Sequence, residues 1–476
     1  TALPFCTIDE VDSRDLDQAL FIEGAGDQGF VVWYALADAS AFVTPGAALW
    51  DDALQRGASY YLPGLVAPML PRLLSEDRCS LSPDVDRRAL VFRVVLDAGG
   101  RVQDTRLLQA RVHSRAKLSY DGVQAWYDGG AAPCHDPAVL ASLQRLVDVG
   151  RLRLALAEER DVVRFRRTEI KVEVASEGDD LVFVAHRDLR LPVERYNEQI
   201  SVLCNVEGAR LLRASRAPDL IQPIYRVHAP PQPERLAALR DQLDAIVAAQ
   251  GLDAGWRWRQ GQESLSSYLE RLPAGRVAQA IHRQAMMSAG RASFTARAGE
   301  HHGLGADVYA RFTAPMREIV GVFLHSEAKE LLAGRPGAVP AGVPDDDVLR
   351  ASVIDVSNRA HQVQKALDRD ANRRVLDHLL AADLDGGGER WRRGTVMGLT
   401  RRKVHVLLDD PAVDVKLYLH HLEAAAGVRL RVSADGASLE PTRGKGLRLA
   451  VGDAVDVCVR GVDPRTDRWR LDCRRA

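Results

Sequence analysis

The amino-acid sequence predicts an α+β protein. A mixed strand-and-helix body is expected over residues 1–385, followed by a five-stranded OB-type β-barrel over 386–476. Three observations carry that reading. Residues 1–125 alternate β-forming apolar runs with Gly and Pro punctuation. From about residue 137 to 380, apolar side chains recur at helical spacing. After the triplet Gly386–Gly388 the text breaks into short strand-like runs separated by turn signals.

In the first portion, GFVVWYALADASAFV (29–43) reads as a long buried strand, and LVFRVVLDAGGRVQDTRLL (90–108) as a hairpin turning at Ala98-Gly99-Gly100. Leu140, Leu143, Leu146 and Val147 place a helix over about Pro137–Val162, and RLPVERYNEQISVLCNVEGARLLRA (190–214) is a second long one. HAPPQPER (His228–Arg235) marks a loop before further helices. GRPGAVPAGVP, around Ala338, separates two more, the second amphipathic over about Asp346–Leu380. In the tail, GTVMGLT, KVHVLL, VDVKLYL, VRLRVS and AVDVCVRGVD supply the five expected strands of a small OB-type barrel.

At roughly 100–200 residues per domain, 476 residues suit two to four domains. With 46% hydrophobic and 27% charged residues the chain is globular rather than disordered or fibrous. No apolar run nears the roughly 18 residues that span a bilayer. No charged-then-apolar leader opens the chain, so neither a membrane partner nor secretion is expected. Six dispersed cysteines form no C-x-x-C pair, and H-E-x-x-H is absent. That spacing fits neither a zinc motif nor a disulfide framework, and it points to reduced thiols in the cytoplasm. Net charge is −1, but residues 386–476 hold 18 Lys+Arg against 12 Asp+Glu, a local +6 that leaves −7 for the body. A basic tail on an acidic body suggests contact with a polyanion, with a solvated surface as the alternative.

The most informative stretch is FCTIDEVDSRDLDQALFI (5–22), which gathers Asp9, Asp12, Asp15 and Asp17 between apolar segments. Two carboxylates about 4 Å apart repel by on the order of 4 kcal/mol at an effective dielectric of 20. A divalent cation between them relieves that repulsion, and hard oxygen donors suit Mg²⁺ or Mn²⁺. Such ions serve phosphodiester hydrolysis. Asp15 and Asp17, two apart, share a side in extended chain. Spacing alone leaves a solvated acidic turn equally open.

The wording of this stretch resembles the ribonuclease II/R family, whose catalytic (RNB) domain opens with a T-I-D…D-x-D-D-A motif. TIDEVDSRDLDQAL carries the likeness, and YALADASAFV, RGASYYLPGLVAPMLPRLLSEDRCSL, GLGADVYARFTAPMR and ALDRDANRRVLDHLL continue it in the family's order over about residues 1–380. The tail resembles the S1 RNA-binding domain that usually follows. The resemblance implies a 3′-to-5′ exoribonuclease that degrades single-stranded RNA to nucleoside 5′-monophosphates. It implies Mg²⁺ (or Mn²⁺) as cofactor and, for this chain, a cytoplasmic monomer. Family members usually carry cold-shock OB domains ahead of this motif. Here the motif starts within ten residues of the first, so this chain is expected to lack them.

Carried over residue by residue, Asp9, Asp15 and Asp17 match metal-binding aspartates, and Asp17 matches the one most tied to chemistry. Gln18 stands where the family has a fourth aspartate; its amide oxygen is a candidate metal ligand with one charge fewer. Arg317 matches an arginine at the scissile phosphate, where its planar fork suits two oxygens. The residues after it depart from the family: Glu318, Ile319 and Gly321 replace basic, aromatic and acidic residues. Tyr61 matches an aromatic that stacks on bases, and Tyr120 a tyrosine that senses the 3′ ribose. Glu198 is a further candidate at the sugar, Phe165 for a wedge against the terminal bases, and Asp368 stands where the family often has a glutamate near the site. In the tail, Trp391, Tyr418 and Trp469 lie among Arg392, Arg393, Arg401, Arg402 and Lys403, a mix suited to stacking and phosphate tracking. Two rival functions stay open: a non-catalytic RNA-binding protein, for which Gln18 argues, and a DNA phosphodiesterase.

Overall fold

The computed structural model describes residues 2–26, 29–160, 162–163, 169–177, 180–188, 190–215, 221–334, 345–386 and 389–476. The chain opens with β1 (Phe5–Asp9), β2 (Gln18–Gly24) and β3 (Phe30–Ala37), then α1 (Ala48–Arg56). The short hairpin β4 (Tyr60–Leu62) and β5 (Leu65–Ala67) precedes the long strands β6 (Asp86–Leu96) and β7 (Val102–Ser119). β1, β2, β3, β6 and β7 close into a barrel in that order, β7 returning to pair in parallel with β1. β3 is apolar throughout because both its faces are covered: Val32, Tyr34, Ala35, Leu36 and Ala37 are all buried. It ends at Ala37, where the expected strand ran on to residue 43; Asp38 turns the chain into a single helical turn over Ala39–Ala41. The β6–β7 hairpin turns where expected. The Asp97 carboxylate accepts the N–H groups of Gly99 (3.0 Å) and Arg101 (2.8 Å), and Gly100 adopts φ 75°, which a side chain would resist.

Helices then brace the barrel. α2 (Tyr120–Tyr127) follows β7 directly, and α3 (Pro137–Glu159) starts under an Asp136 cap that accepts two backbone N–H groups. An unanticipated hairpin, β8 (Glu169–Glu177) and β9 (Asp180–Asp188), leads to α4 (Pro192–Ala214). Leu143 and Leu146 of α3 join Ile200 and Leu203 of α4 in the barrel's core.

β10 (Tyr225–Val227) comes next, then α5 (Pro233–Ala249), α6 (Leu265–Arg271), α7 (Arg276–Ser288), β11 (Ser293–Thr295), α8 (Ile319–Ala333) and α9 (Asp346–Asp385). β10 pairs antiparallel with β11, so the chain between them is an excursion with tied ends. The tail holds β12 (Trp391–Thr400), β13 (Lys403–Leu408), β14 (Asp414–Tyr418), α10 (Leu419–Ala426), β15 (Leu430–Val432), β16 (Ser438–Pro441), β17 (Leu449–Ala450), β18 (Ala454–Asp463) and β19 (Arg468–Arg475). Its main sheet is five-stranded and antiparallel, ordered β14-β13-β12-β18-β19. The fifth strand differs from the expected one. VRLRVS gives β15, which pairs with β16 in a separate three-stranded sheet, and RWRLDCRR (468–475) takes the fifth place. Its arginines hide a strand whose alternate residues Trp469, Leu471 and Cys473 face inward.

Among the described residues two large hydrophobic cores form, besides a small cluster of Val206, Ala306 and Tyr309, and the large ones do not divide at residue 386. The first holds the barrel, α3, α4, α8 and the start of α9. The second holds the C-terminal sheet together with Leu239, Leu243 and Ile246 of α5, Tyr268 and Leu269 of α6, and Ile281 and Ala285 of α7. The 233–288 excursion therefore packs on the tail. Polar ties reinforce it: Arg276 forks onto Asp409, the Gln284 side-chain amide donates to the Met397 carbonyl (2.5 Å), and Gln250 donates to Asp453 (3.0 Å). α9, about 60 Å long at 1.5 Å per residue, reaches from Leu349 and Val353 in the first core to Leu380 in the second.

Candidate active site

The carboxylates sit where the chain leaves the barrel after β1 and re-enters it as β2. Asp9 closes β1 opposite Ser119 of β7, so Asp9 and Tyr120, the first residue of α2, stand side by side. Its Oδ1 accepts the Glu10 N–H (2.8 Å) and the Ser13 hydroxyl (2.9 Å). Buried Leu16 anchors the returning limb, and Ser80 clamps it: the hydroxyl accepts the Leu16 N–H (3.1 Å) and donates to the Arg14 carbonyl (2.7 Å). Asp15 and Asp17 flank Leu16.

Asp17 is 2% exposed. Its Oδ1 accepts the Met316 N–H (3.0 Å) and its Oδ2 accepts Nε–H of Arg317 (2.5 Å). Burial pushes its carboxyl up to about 6, against the pull of the Arg317 guanidinium and the Met316 N–H. Burial also raises Asp15; Arg317 opposes this, and Asp9 and Glu76 add to it. Arg317 is held firmly protonated by Asp17 and keeps about a third of its side chain exposed. Residues nearly 300 positions apart thus meet in one charged cluster.

Gln18 points elsewhere. Its amide nitrogen donates to the Thr313 carbonyl (2.5 Å), while its oxygen accepts the Ser201 hydroxyl (3.0 Å) and the Tyr34 hydroxyl. Both acceptor positions on that oxygen are filled, so in this arrangement Gln18 braces the loop that delivers Arg317 and offers nothing to an ion. Two successive residues therefore hold both ends of the 313–317 turn: Gln18 at Thr313, Asp17 at Met316 and Arg317.

Tyr61, on β4, is 43% exposed. It lines a cleft of about 220 Å³ shared with Arg317, Arg311, Glu318, His361 and Gln364. Burial raises its phenol to about 12 while Arg317, beside it, pulls the other way. The Gln364 side chain on α9 bonds both the N–H and the carbonyl of Tyr61 (3.1 and 2.9 Å) and donates to Asp368 (2.7 Å). Asp368 thus touches the site one residue removed. At Tyr120, burial and the nearby Asp9 charge raise the phenol to about 12. Asn197, not Glu198, meets it, donating to the hydroxyl at 3.0 Å. Glu198 stands on the exposed face of α4 against Arg190 (3.2 Å). The departure Glu318 is matched locally by Arg311 (3.1 Å). Phe165 lies outside the described residues.

In the tail, Tyr418 and Trp469 line a larger cleft of about 790 Å³ with Arg283, Arg373, Lys416 and Arg468. Trp391 lies elsewhere, under Arg474 (4.1 Å) and Arg460 (5.5 Å).

Comparison with known proteins identifies the family and the fold. The model of the RNB domain family matches residues 1–334. The chain belongs to the RNB family. Ribonuclease R of Vibrio cholerae is 30% identical over 344 residues, covering 71% of this chain and 40% of that protein. Exoribonuclease 2 of Serratia proteamaculans is 32% identical over 425 residues, covering 87% and 61%. The chain therefore spans less than two thirds of the length of either relative. Among solved structures, Mycoplasma genitalium RNase R in complex with ribose-methylated single-stranded RNA superposes with a TM-score of 0.84 at 21% identity, over 99% of this chain and 71% of that one. Yeast Ssd1, described as a pseudonuclease, gives 0.69 at 15% identity, over 93% and 52%. At such identities the likeness is one of fold, and the RNB fold alone does not separate an enzyme from an inactive relative.

The RNB site's donor set suits a hard divalent cation. Three carboxylates raise or share one another's field and have one arginine among them. Asp9, Asp15 and Asp17 do not draw one oxygen each to within 4.8 Å of the others. A closed cage is not required: Mg²⁺ keeps several waters and is usually held by one or two carboxylates plus substrate phosphates.

Proposed function

We propose that the chain is a 3′-to-5′ hydrolytic exoribonuclease that degrades single-stranded RNA to nucleoside 5′-monophosphates. The observation that carries this is the buried Asp17 carboxylate bonded to Arg317, beside Asp15, with Tyr61 near that pair and Tyr120 near Asp9. The names of the relatives, Ribonuclease R and Exoribonuclease 2, support it, as does the single-stranded RNA held by the M. genitalium structure. Asp9, Asp15 and Asp17 would hold Mg²⁺ or Mn²⁺, which when bound supplies an activated water and neutralises the leaving oxygen. Arg317 grips the phosphate oxygens with the part of its fork that reaches the cleft. Tyr61 stacks on a base, and Tyr120, oriented by Asn197, reads the terminal 2′-hydroxyl. The C-terminal sheet acts as an S1-like OB barrel. Its edge strands β14 and β19 approach each other, and Arg468 lies 4.8 Å over the Tyr418 ring between them. Among the described residues no helix is long and apolar enough to cross a membrane.

The competing reading is an RNA-binding protein without cleavage. The neutral Gln18 and the Ssd1 likeness favour it. Incubation with 5′-labelled and 3′-labelled single-stranded RNA, with and without Mg²⁺, separates the two. Release of labelled mononucleotide first from the 3′ end, only with metal, supports the enzyme. Tight binding without release in either Mg²⁺ or Mn²⁺ supports its rival.

A further inference from the structure

We propose that His420, His421 and Asp463 form a binding site for a divalent transition ion of the zinc class in the C-terminal unit, separate from the carboxylate site. The two histidines lie in the first turn of α10, and Asp463 ends β18 at the turn into β19. One ligand atom from each lies within 4.8 Å of the other two, and among the described residues no other three His, Cys, Asp or Glu side chains do this. His421 Nε2 stands 3.3 Å from Asp463 Oδ2. That is long for a charge-assisted hydrogen bond, which runs about 2.7–2.9 Å. It matches the edge of a tetrahedron whose corners lie about 2.0–2.1 Å from a central ion, an edge of about 3.3–3.4 Å. The other carboxylate oxygen is already fixed, because Oδ1 accepts the Arg465 N–H at 2.9 Å. Hydrogen bonds of that kind orient the ligands of metal sites.

The donors choose the ion. Two imidazoles and one carboxylate suit Zn²⁺, Co²⁺ or Ni²⁺ and disfavour Mg²⁺, so this site would not compete for the ion proposed at Asp17. Three protein ligands leave a fourth position, and His420 is exposed, so that position opens to water or a phosphate oxygen. The site adjoins Tyr418, whose ring lies 5.8 Å from both histidine rings and carries Arg468 at 4.8 Å and Lys403 at 5.3 Å. A bound ion would add charge to this aromatic and basic edge and lock α10 to the β18–β19 hairpin. Sequence spacing gives no hint of it, because the third ligand lies 42 residues from His421 and no motif joins them.

The test uses the full chain, stripped with a chelator and then titrated with Co²⁺ as a spectroscopic probe, with Zn²⁺ as competitor. An Asp17→Asn background keeps the carboxylate site from contributing. The expected result is one equivalent of Co²⁺ with the strong visible bands of a tetrahedral site, displaced by Zn²⁺ and not by Mg²⁺. His420→Ala and Asp463→Asn should each weaken binding roughly tenfold or more. Zn²⁺ should raise the unfolding midpoint of the parent and not that of His420→Ala, a variant at an exposed position whose fold is checked by circular dichroism. If the parent binds no Co²⁺ or Zn²⁺, or binds them no more tightly than His420→Ala does, the residues are a plain hydrogen-bonded cluster and the proposal is wrong.

Discussion

Replacing Asp17 with Asn should make the protein inactive and flatten the pH dependence of its stability. Burial lifts the carboxyl from 3.8 to about 6 in the folded chain even with Arg317 bonded to it. The sign follows from which state holds the proton more tightly. Below 3.8 the group is protonated folded or unfolded, and stability has its full value. As pH rises from there to about 6 the unfolded chain releases its proton first, so stability falls; above about 6 it stays at the lower level. A shift of about two units is worth about 3 kcal/mol. Asparagine copies the shape of the neutral acid and keeps an oxygen for the Met316 N–H, but its amide nitrogen faces the Arg317 Nε–H, which loses its acceptor at a cost of about 1–3 kcal/mol at every pH. In chelator the stability of Asp17→Asn relative to wild type should therefore rise by up to about 3 kcal/mol between about pH 4 and about pH 7.5, with the lost Arg317 contact lowering the difference equally at both ends. Denaturant unfolding of both proteins across this range measures it, and RNA cleavage by the same samples should be lost in the variant. Mg²⁺ should stabilise wild type more than the variant, because only wild type keeps the third carboxylate. A difference between the two proteins that does not change with pH would refute the electrostatic account.

Other expectations concern single contacts. Arg317→Ala should slow single-turnover cleavage about 100-fold or more, roughly 3 kcal/mol. Arg317→Lys should not recover it, since a lysine cannot bond Asp17 and present a planar fork together. In Tyr120→Phe the preference for RNA over DNA should fall about tenfold to a hundredfold. Tyr61→Ala should instead weaken binding of both by about 1–3 kcal/mol; cleavage of matched RNA, DNA and single-deoxy strands reads both effects. Deleting residues 387–476 should give aggregated protein rather than a soluble weak binder, because it strips the cover from Leu243, Tyr268 and Ile281; size-exclusion chromatography checks this. Gln18→Glu should destabilise the protein by about 1–3 kcal/mol, since a carboxylate oxygen would then face the Thr313 carbonyl, and cleavage should drop with it. A Gln18→Glu variant that is stable and faster would show that the site wanted a fourth acid.

The fold was legible where one chain segment satisfies its own pattern. The hairpin at Gly100 and the helices from Pro137 and Pro192 follow from turn chemistry, caps and periodicity that neighbours only reinforce. Less was readable where partners lie far along the chain. RWRLDCRR looks like a charged coil until β18 pairs with it, and VRLRVS looks like a member of a sheet it does not join. Helices α5 to α7 read as part of the body, yet the antiparallel β10–β11 pair returns the chain to its starting point and frees the excursion to pack on the tail. No local pattern reports which of two cores an amphipathic helix will choose.

At the site, residue types were readable and orientation was not. Asp9, Asp15, Asp17 and Arg317 stand out by charge crowding and motif, and the fold gathers them. Asn197 escaped because one position along a helix turns a side chain by about 100°; that step separates the residue on Tyr120 from Glu198 on the surface. Gln18 carries the larger lesson. As text it is an aspartate lost from a metal set. In the fold, its amide needs the donor an aspartate lacks, because the group opposite is the Thr313 carbonyl. A carboxylate there would add charge to a buried network that already holds Asp17 at about 6. The neutral side chain instead braces the turn that brings Arg317 to Asp17. The substitution thus exchanges one unit of charge for a fixed position of the arginine, and the site proposed on three carboxylates depends on that position being held.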